Sequence, residues 1–257
     1  MRARLQPRLV RLVLASSGAL ALACGAPGCA GSGARDARAS DSLARGSDER
    51  AVAIAEEVLR ALGGADAWDE TRVVAWTFFG RRNHVWDKSS GDYRLEEGSK
   101  VVLMNLESGV GRVFDGGVEL ADPAAVAQEL ARAKSVWIND SYWLVMPYKL
   151  FDPGVRLFDA GEEEREGGAK ADVLRVEFED VGDTPDNAYE VLVDRQTKLV
   201  TGWRYFQRRD DPAPRIETPW AGWQRFGGIL LSGDRGPQRE ISGIRVFTTP
   251  PEELKRP

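Results

Sequence analysis

From Thr71 to Phe247 the chain is written in short runs of β-branched and aromatic residues, and this pattern limits its fold more than any other feature. Arg72–Phe79, His84–Trp86, Tyr93–Glu96, Lys100–Asn105 and Gly111–Phe114 are separated by Gly, Asp, Asn and Ser, as in an antiparallel meander. Beyond Asp152-Pro153-Gly154 comes Val155–Phe158. Leu174, Val176 and Phe178 then alternate with Arg175, Glu177 and Glu179, which puts one face in a core and the other in water. Tyr189, Val191 and Val193 repeat the alternation, Asp194–Lys198 turns the chain and Leu199–Gln207 returns, giving the clearest hairpin in the sequence. Further strands are expected near Arg215–Glu217, Trp223–Leu231 and Glu240–Phe247. No repeat of fixed period points to a propeller or a solenoid.

Helices flank and interrupt the strands. Ala51, Ile54, Ala55, Val58, Leu59 and Leu62 form one apolar stripe that Ser47 or Asp48 can cap and Gly63-Gly64 can stop. Asp122-Pro123 supplies an N-cap and a proline at the first helical position for a second helix through Lys134. The segment Ser135–Phe151 reads as a third, irregular element, dense in large apolar side chains and broken or kinked at Pro147.

Ahead of this domain, Arg2, Arg4, Arg8 and Arg11 precede the apolar run Leu12–Ala23, which ends in small residues and is too short to span a bilayer. That is the pattern of a cleavable leader, residues 1–23. The following Ala21-Leu22-Ala23-Cys24 resembles the lipobox of bacterial lipoproteins, which implies lipid attachment at Cys24 and an anchor in the cell envelope, facing the periplasm. Gly25 after that cysteine, by resemblance to sorting signals, favours the outer over the inner membrane. A secreted chain without lipid is the alternative. Residues 24–46 are Gly, Ala, Ser, Arg and Asp with few large apolar groups, and read as a disordered tether. The folded domain is then 47–257, long enough for one sizeable core. Without the leader's four arginines the chain has 31 basic and 40 acidic residues, a net charge of −9, which disfavours nucleic acid as a partner.

The order of elements, together with Tyr189-Glu-Val-Leu-Val-Asp194-Arg-Gln-Thr-Lys-Leu199, resembles the LolA/LolB-like lipoprotein-carrier superfamily. The segment Ser141–Gly154 is similar to one in a group of secreted bacterial proteins of unknown function. The resemblance implies an α+β fold in which a curved antiparallel sheet forms an unclosed half barrel, with helices covering its concave face and an apolar cavity between them. In that superfamily the cavity takes acyl chains.

Catalytic chemistry finds little material. Both cysteines, Cys24 and Cys29, precede the domain, so no thiol is left there for a disulfide, a metal or a nucleophile. His84 is the only histidine, no Gly-x-Ser-x-Gly elbow is present, and zinc would need more ligands. His84 reads as a strand histidine on a wet face. Asp210 and Asp211 are the best candidates for calcium, and an exposed turn before Pro212 explains them equally. Gly109-Val-Gly111-Arg-Val-Phe114 fails as a dinucleotide fingerprint and is a turn, and Glu162–Gly168 reads as a solvated hairpin loop. Neither an enzyme nor a cofactor is expected.

Eight tryptophans are the remaining signal. They fill a core, or they line a cavity between sheet and helices with Trp137–Tyr148 as an adaptable lid. On the second reading the candidate ligand-binding residues are Trp76, Phe78, Trp137, Trp143, Met146, Tyr189, Trp203 and Tyr205, and the ligand is a lipid or another apolar small molecule. The alternatives are a non-catalytic envelope protein with a filled core that meets a protein partner and, last, a hydrolase.

Overall fold

The structure is a computed structural model that describes residues 37–179 and 186–257. The expected leader, Cys24 and most of the expected tether lie outside the described residues. Strand alternation and helical stripes appear where the sequence places them. Helix α2 (Glu49–Ala61) buries Ala51, Ile54, Ala55, Val58 and Leu59, with Leu62 just beyond it. Its start is fixed by tertiary contacts rather than by a local cap: Asp48 accepts from Asp159 N at 2.9 Å, and the Ser47 hydroxyl accepts from Leu157 N at 3.0 Å. At its end Gly63 adopts φ +119, and a Cβ there would lie 2.3 Å from the Gly228 carbonyl oxygen, so only glycine fits. A short helix α3 (Gly64–Glu70) follows.

The expected disordered tether of residues 24–46 does not hold over its last part. Residues Ala37–Ala44 form helix α1, with Ala39 and Ser42 fully buried and the Ser42 hydroxyl 2.8 Å from that of Ser47. Small side chains allow α1 to pack closely against α2 and the long strand behind it.

All fourteen described strands pair antiparallel. The expected meander is β1 (Val73–Phe78), β2 (Arg82–Asp87), β3 (Asp92–Glu97), β4 (Lys100–Asn105) and β5 (Gly111–Asp115), extended by the short β6 (Val118–Glu119). The last strand, β14 (Ile241–Phe247), returns to pair with β1 and completes a seven-stranded sheet. A second sheet joins β7 (Val155–Glu164), β8 (Lys170–Phe178), β9 (Ala188–Asp194), β10 (Val200–Phe206) and β11 (Ile216–Pro219). Between the two lies a hairpin of β12 (Ala221–Phe226) and β13 (Ile229–Asp234) that packs on β10 through β12 and on β14 through β13. The expected single strand Trp223–Leu231 is thus two strands, turned at Gly227-Gly228 with Gly227 at φ +60. The β9–β10 turn is built by Asp194, whose carboxylate accepts from Gln196 N, Thr197 N and the Thr197 hydroxyl, with Lys198 at φ +61. Among the described residues no sheet closes on itself, and the fold is α+β with helices against an open antiparallel surface, as the sequence reading anticipates.

The second helix and the irregular third segment are one continuous helix, α4 (Pro123–Val145). Asp122 caps it, accepting from Ala125 N at 2.9 Å. No Gly or Pro occurs within it after the first turn, so it runs until Pro147 enforces a single 3-10 turn at Met146–Tyr148. Its N-terminal part lies on β4 and β5, and its C-terminal part reaches β13 and the second sheet. One core cluster runs beneath it from Ala39 to Ile241. Among the described residues no helix is long and apolar enough to cross a membrane.

Candidate functional site

Between the C-terminal half of α4 and the inner face of β8–β11 lies a cleft of about 540 Å³. Its floor follows from strand register. Tyr189 on β9 pairs with Tyr205 on β10, Tyr205 pairs with Ile216 on β11, and Phe178 closes the row from β8. Its wall comes from one side of α4, Trp137, Ile138, Ser141 and Tyr142, with Trp143 beside them. The rings hold one another. Tyr189 stacks on Trp203 at 4.9 Å and 6°, Trp143 meets Trp203 edge-on at 4.9 Å, and Tyr142 lies 5.2 Å from Tyr189. Such pairs add about 0.5–1.5 kcal/mol each beyond the area they bury, so the cleft walls are stiff. Burial raises the Tyr142 and Tyr189 phenols above their ordinary range, so both stay protonated. At the rim Lys149 pairs with Asp152 at 2.6 Å. Two lining indoles, Trp137 and Trp203, have Nε1 atoms buried without a protein acceptor.

Two buried polar clusters hold α4 in place. In the first, Asp140 is fully buried and accepts from Arg82 Nε at 2.6 Å, Arg82 Nη2 at 3.0 Å and Asn139 Nδ2 at 2.8 Å. His84 Nε2 lies 3.1 Å from the same carboxylate, while Nδ1 is 2.8 Å from the Tyr93 hydroxyl. The expectation of a wet His84 is corrected here, since His84 is 1 % exposed. Register explains it: His84 stands between Trp76 and Leu95, both inward-facing, and stacks on Trp76 at 4.5 Å. The opposite face of β1–β2 is covered as well, by Leu254 from the C-terminal turn over Val73, Ala75 and Val85. Burial lowers the His84 pKa, which favours the neutral ring. Tyr93, whose phenol burial raises, shares a hydrogen bond with Nδ1. Burial alone would raise Asp140, but His84, Arg82 and Asn139 together hold its carboxyl below the ordinary range.

The second cluster centres on Arg235, 1 % exposed. Its guanidinium lies 3.4 Å over Trp220 and donates to Trp143 O at 2.8 and 3.2 Å, to the Ser232 hydroxyl and carbonyl, and to Asp234 O. Burial pushes its pKa down to about 9. A cation on the carbonyl of Trp143 also answers the negative end of the α4 dipole. Neither cluster is announced by a motif; each joins residues more than 50 positions apart.

Five of the eight candidate residues, Trp137, Trp143, Tyr189, Trp203 and Tyr205, line the cleft together. Trp76, Phe78 and Met146 do not: Trp76 stacks on His84, Phe78 packs against Phe79, and Met146 is fully buried. The expected lid is corrected accordingly. Its helical part is a cleft wall, and Met146–Tyr148 belongs to the core. The sequence reading missed Tyr142 and Phe178, for which alternation with Glu177 and helical spacing from Ile138 were the available signals. Among the other motifs, Gly109 takes φ +70 in the β4–β5 turn. Asp211 accepts from Arg208 N and Asp210 pairs with Arg208, which accounts for the acidic pair as a turn. Glu162 and Glu163 belong to β7 rather than to a loop, where Arg195, just past β9, and Arg204 on β10 pair with them.

Comparison with protein-family models and with curated proteins finds no match. Among solved structures, a DUF1329 family protein from Desulfovibrio piger is 14 % identical, with 77 % of this chain and 94 % of that one covered at a TM-score of 0.40. An outer membrane lipoprotein-sorting protein domain from Vibrio parahaemolyticus is 8 % identical, with 78 % and 97 % covered at a TM-score of 0.35. MucB in complex with MucA(peri) is 15 % identical, with 80 % and 60 % covered at 0.24. No residue role passes between chains at this level of likeness. The open antiparallel surface with helices on its inner side is the arrangement implied by the resemblance to the lipoprotein-carrier superfamily.

Proposed function

We propose that this chain is a non-catalytic binding module of the cell envelope, tethered through a lipid on Cys24, that holds an apolar or amphipathic small molecule in the cleft between α4 and β8–β11. The cleft itself carries the reading. Around Trp76 and Phe78 the space between sheet and helix is filled, whereas beside Tyr142 and Tyr189 a volume of about 540 Å³ remains, within the roughly 300–1,000 Å³ usual for small-molecule sites. The burial of the sole histidine supports the non-catalytic part, since it lies against Asp140 and Tyr93, outside the cleft lining. Native mass spectrometry of the folded chain, followed by solvent extraction, tests the proposal. A non-covalent small molecule at one per chain, lost in Trp143→Asp with the far-ultraviolet circular dichroism unchanged, is the expected result. An empty wild-type chain, or uptake unchanged in Trp143→Asp, would count against the cleft and for an envelope scaffold that meets a protein partner.

A further inference from the structure

The walls of the cleft favour one kind of ligand over another. Resting on the binding reading above, we infer that the cleft is shaped for a flat, conjugated ring rather than for a saturated acyl chain. The half-buried rings of Trp137, Tyr142, Trp143, Phe178, Tyr189 and Tyr205 line it, against three branched aliphatic residues, Ile138, Val155 and Ile216, and Pro153. A methylene chain gains only from the area it removes from water, whereas a second π-system also gains the stacked and edge-on geometries that these rings offer.

Stiffness points the same way. An acyl chain has many bends and is best met by side chains that re-pack, methionine above all. Met146, the methionine nearest the cleft in sequence, is fully buried in the core, and the floor rings are fixed by the Tyr189–Trp203 stack and the Trp143 edge contact. A rigid slot loses least when its occupant is rigid and flat.

The polar groups complete the case. The cation that would hold a carboxylate, Lys149, is already paired with Asp152 at 2.6 Å, and a fatty-acid headgroup would meet the Asp152 charge as well.

Isothermal titration of the full chain with three probes tests this: 2,3-dimethyl-1,4-naphthoquinone, 2,3-dimethylnaphthalene and palmitate. Methylation at both ring positions keeps the quinone from adding to Cys24 or Cys29. Both ring probes are expected to bind at one per chain, about ten-fold or more tighter than palmitate, and palmitate should displace neither. Palmitate binding more tightly than the quinone overturns the ring assignment and leaves the binding reading standing. Failure of all three probes overturns the inference, and the native mass spectrum then reports separately on whether the cleft is occupied.

Discussion

Replacing Asp140 with leucine tests whether α4 is held against the first sheet by a buried charge. The carboxylate is fully buried and takes two hydrogen bonds from Arg82, at 2.6 and 3.0 Å, and one from Asn139 at 2.8 Å, with His84 Nε2 at 3.1 Å. Arg82 would keep only Glu97, 3.7 Å away, and its side chain is 18 % exposed, too little to recover full hydration. Breaking a buried pair by removing one partner costs about 3–5 kcal/mol, and the residual Glu97 contact places Asp140→Leu near the lower end, about 3 kcal/mol. Against a domain stability of about 5–15 kcal/mol, that is a large fraction. The second arm is Asp140→Leu with Arg82→Met, which removes both charges. It should be about 1–2 kcal/mol more stable than the single variant, because the cost lies mainly in the orphaned guanidinium rather than in a lost attraction. Urea unfolding followed by tryptophan fluorescence measures both. A loss under about 1 kcal/mol in the single variant, or a double variant no better than the single, would refute the reasoning.

Three further outcomes follow from the structure. Because burial lowers the His84 pKa below its ordinary 6.5, the unfolded chain binds a proton that the folded one refuses, so stability should fall as pH drops below about 6.5, by up to about 1.4 kcal/mol per unit, until the folded ring titrates. Urea midpoints at pH 7.5, 6.5 and 5.5 read this, and His84→Gln should flatten the dependence in that window. Arg235→Met keeps an apolar stem over Trp220 but leaves the Trp143 and Ser232 carbonyls without their donor, and should cost about 2–3 kcal/mol by the same unfolding assay. Gly63→Ala forces a Cβ to 2.3 Å from the Gly228 oxygen at φ +119, and should lower the melting temperature by several degrees, a loss of at least about 1–2 kcal/mol; an unchanged melting curve would show that the α2–α3 junction and the β12–β13 turn do not touch as described.

Period-two and period-3.6 patterns are local properties, so the strands, the α2 stripe, the Asp122 cap and the Asp194 turn were legible from the sequence. Where such a signal was absent the reading failed. Nothing in Ser135–Val145 says that it continues the preceding helix, since its apolar residues face two sheets and lose the clean stripe. Nothing local says that small residues 37–44 would pack, because α1 is buried by α2 and β7 rather than by its own pattern.

The site divides in the same way. The sequence by itself determined that aromatic side chains would lie on the inner face of β8–β10 and on the segment before Pro147, because alternation and helical spacing fix which side of an element a residue occupies. Only the tertiary structure decided which of them leave a cleft and which fill the core, because that depends on how far α4 stands from each strand. It also decided that His84 is dry. Its own strand looks half-wet, and only the arrival of α4 on one face, with Asp140, and of Leu254 on the other removes the water from β2.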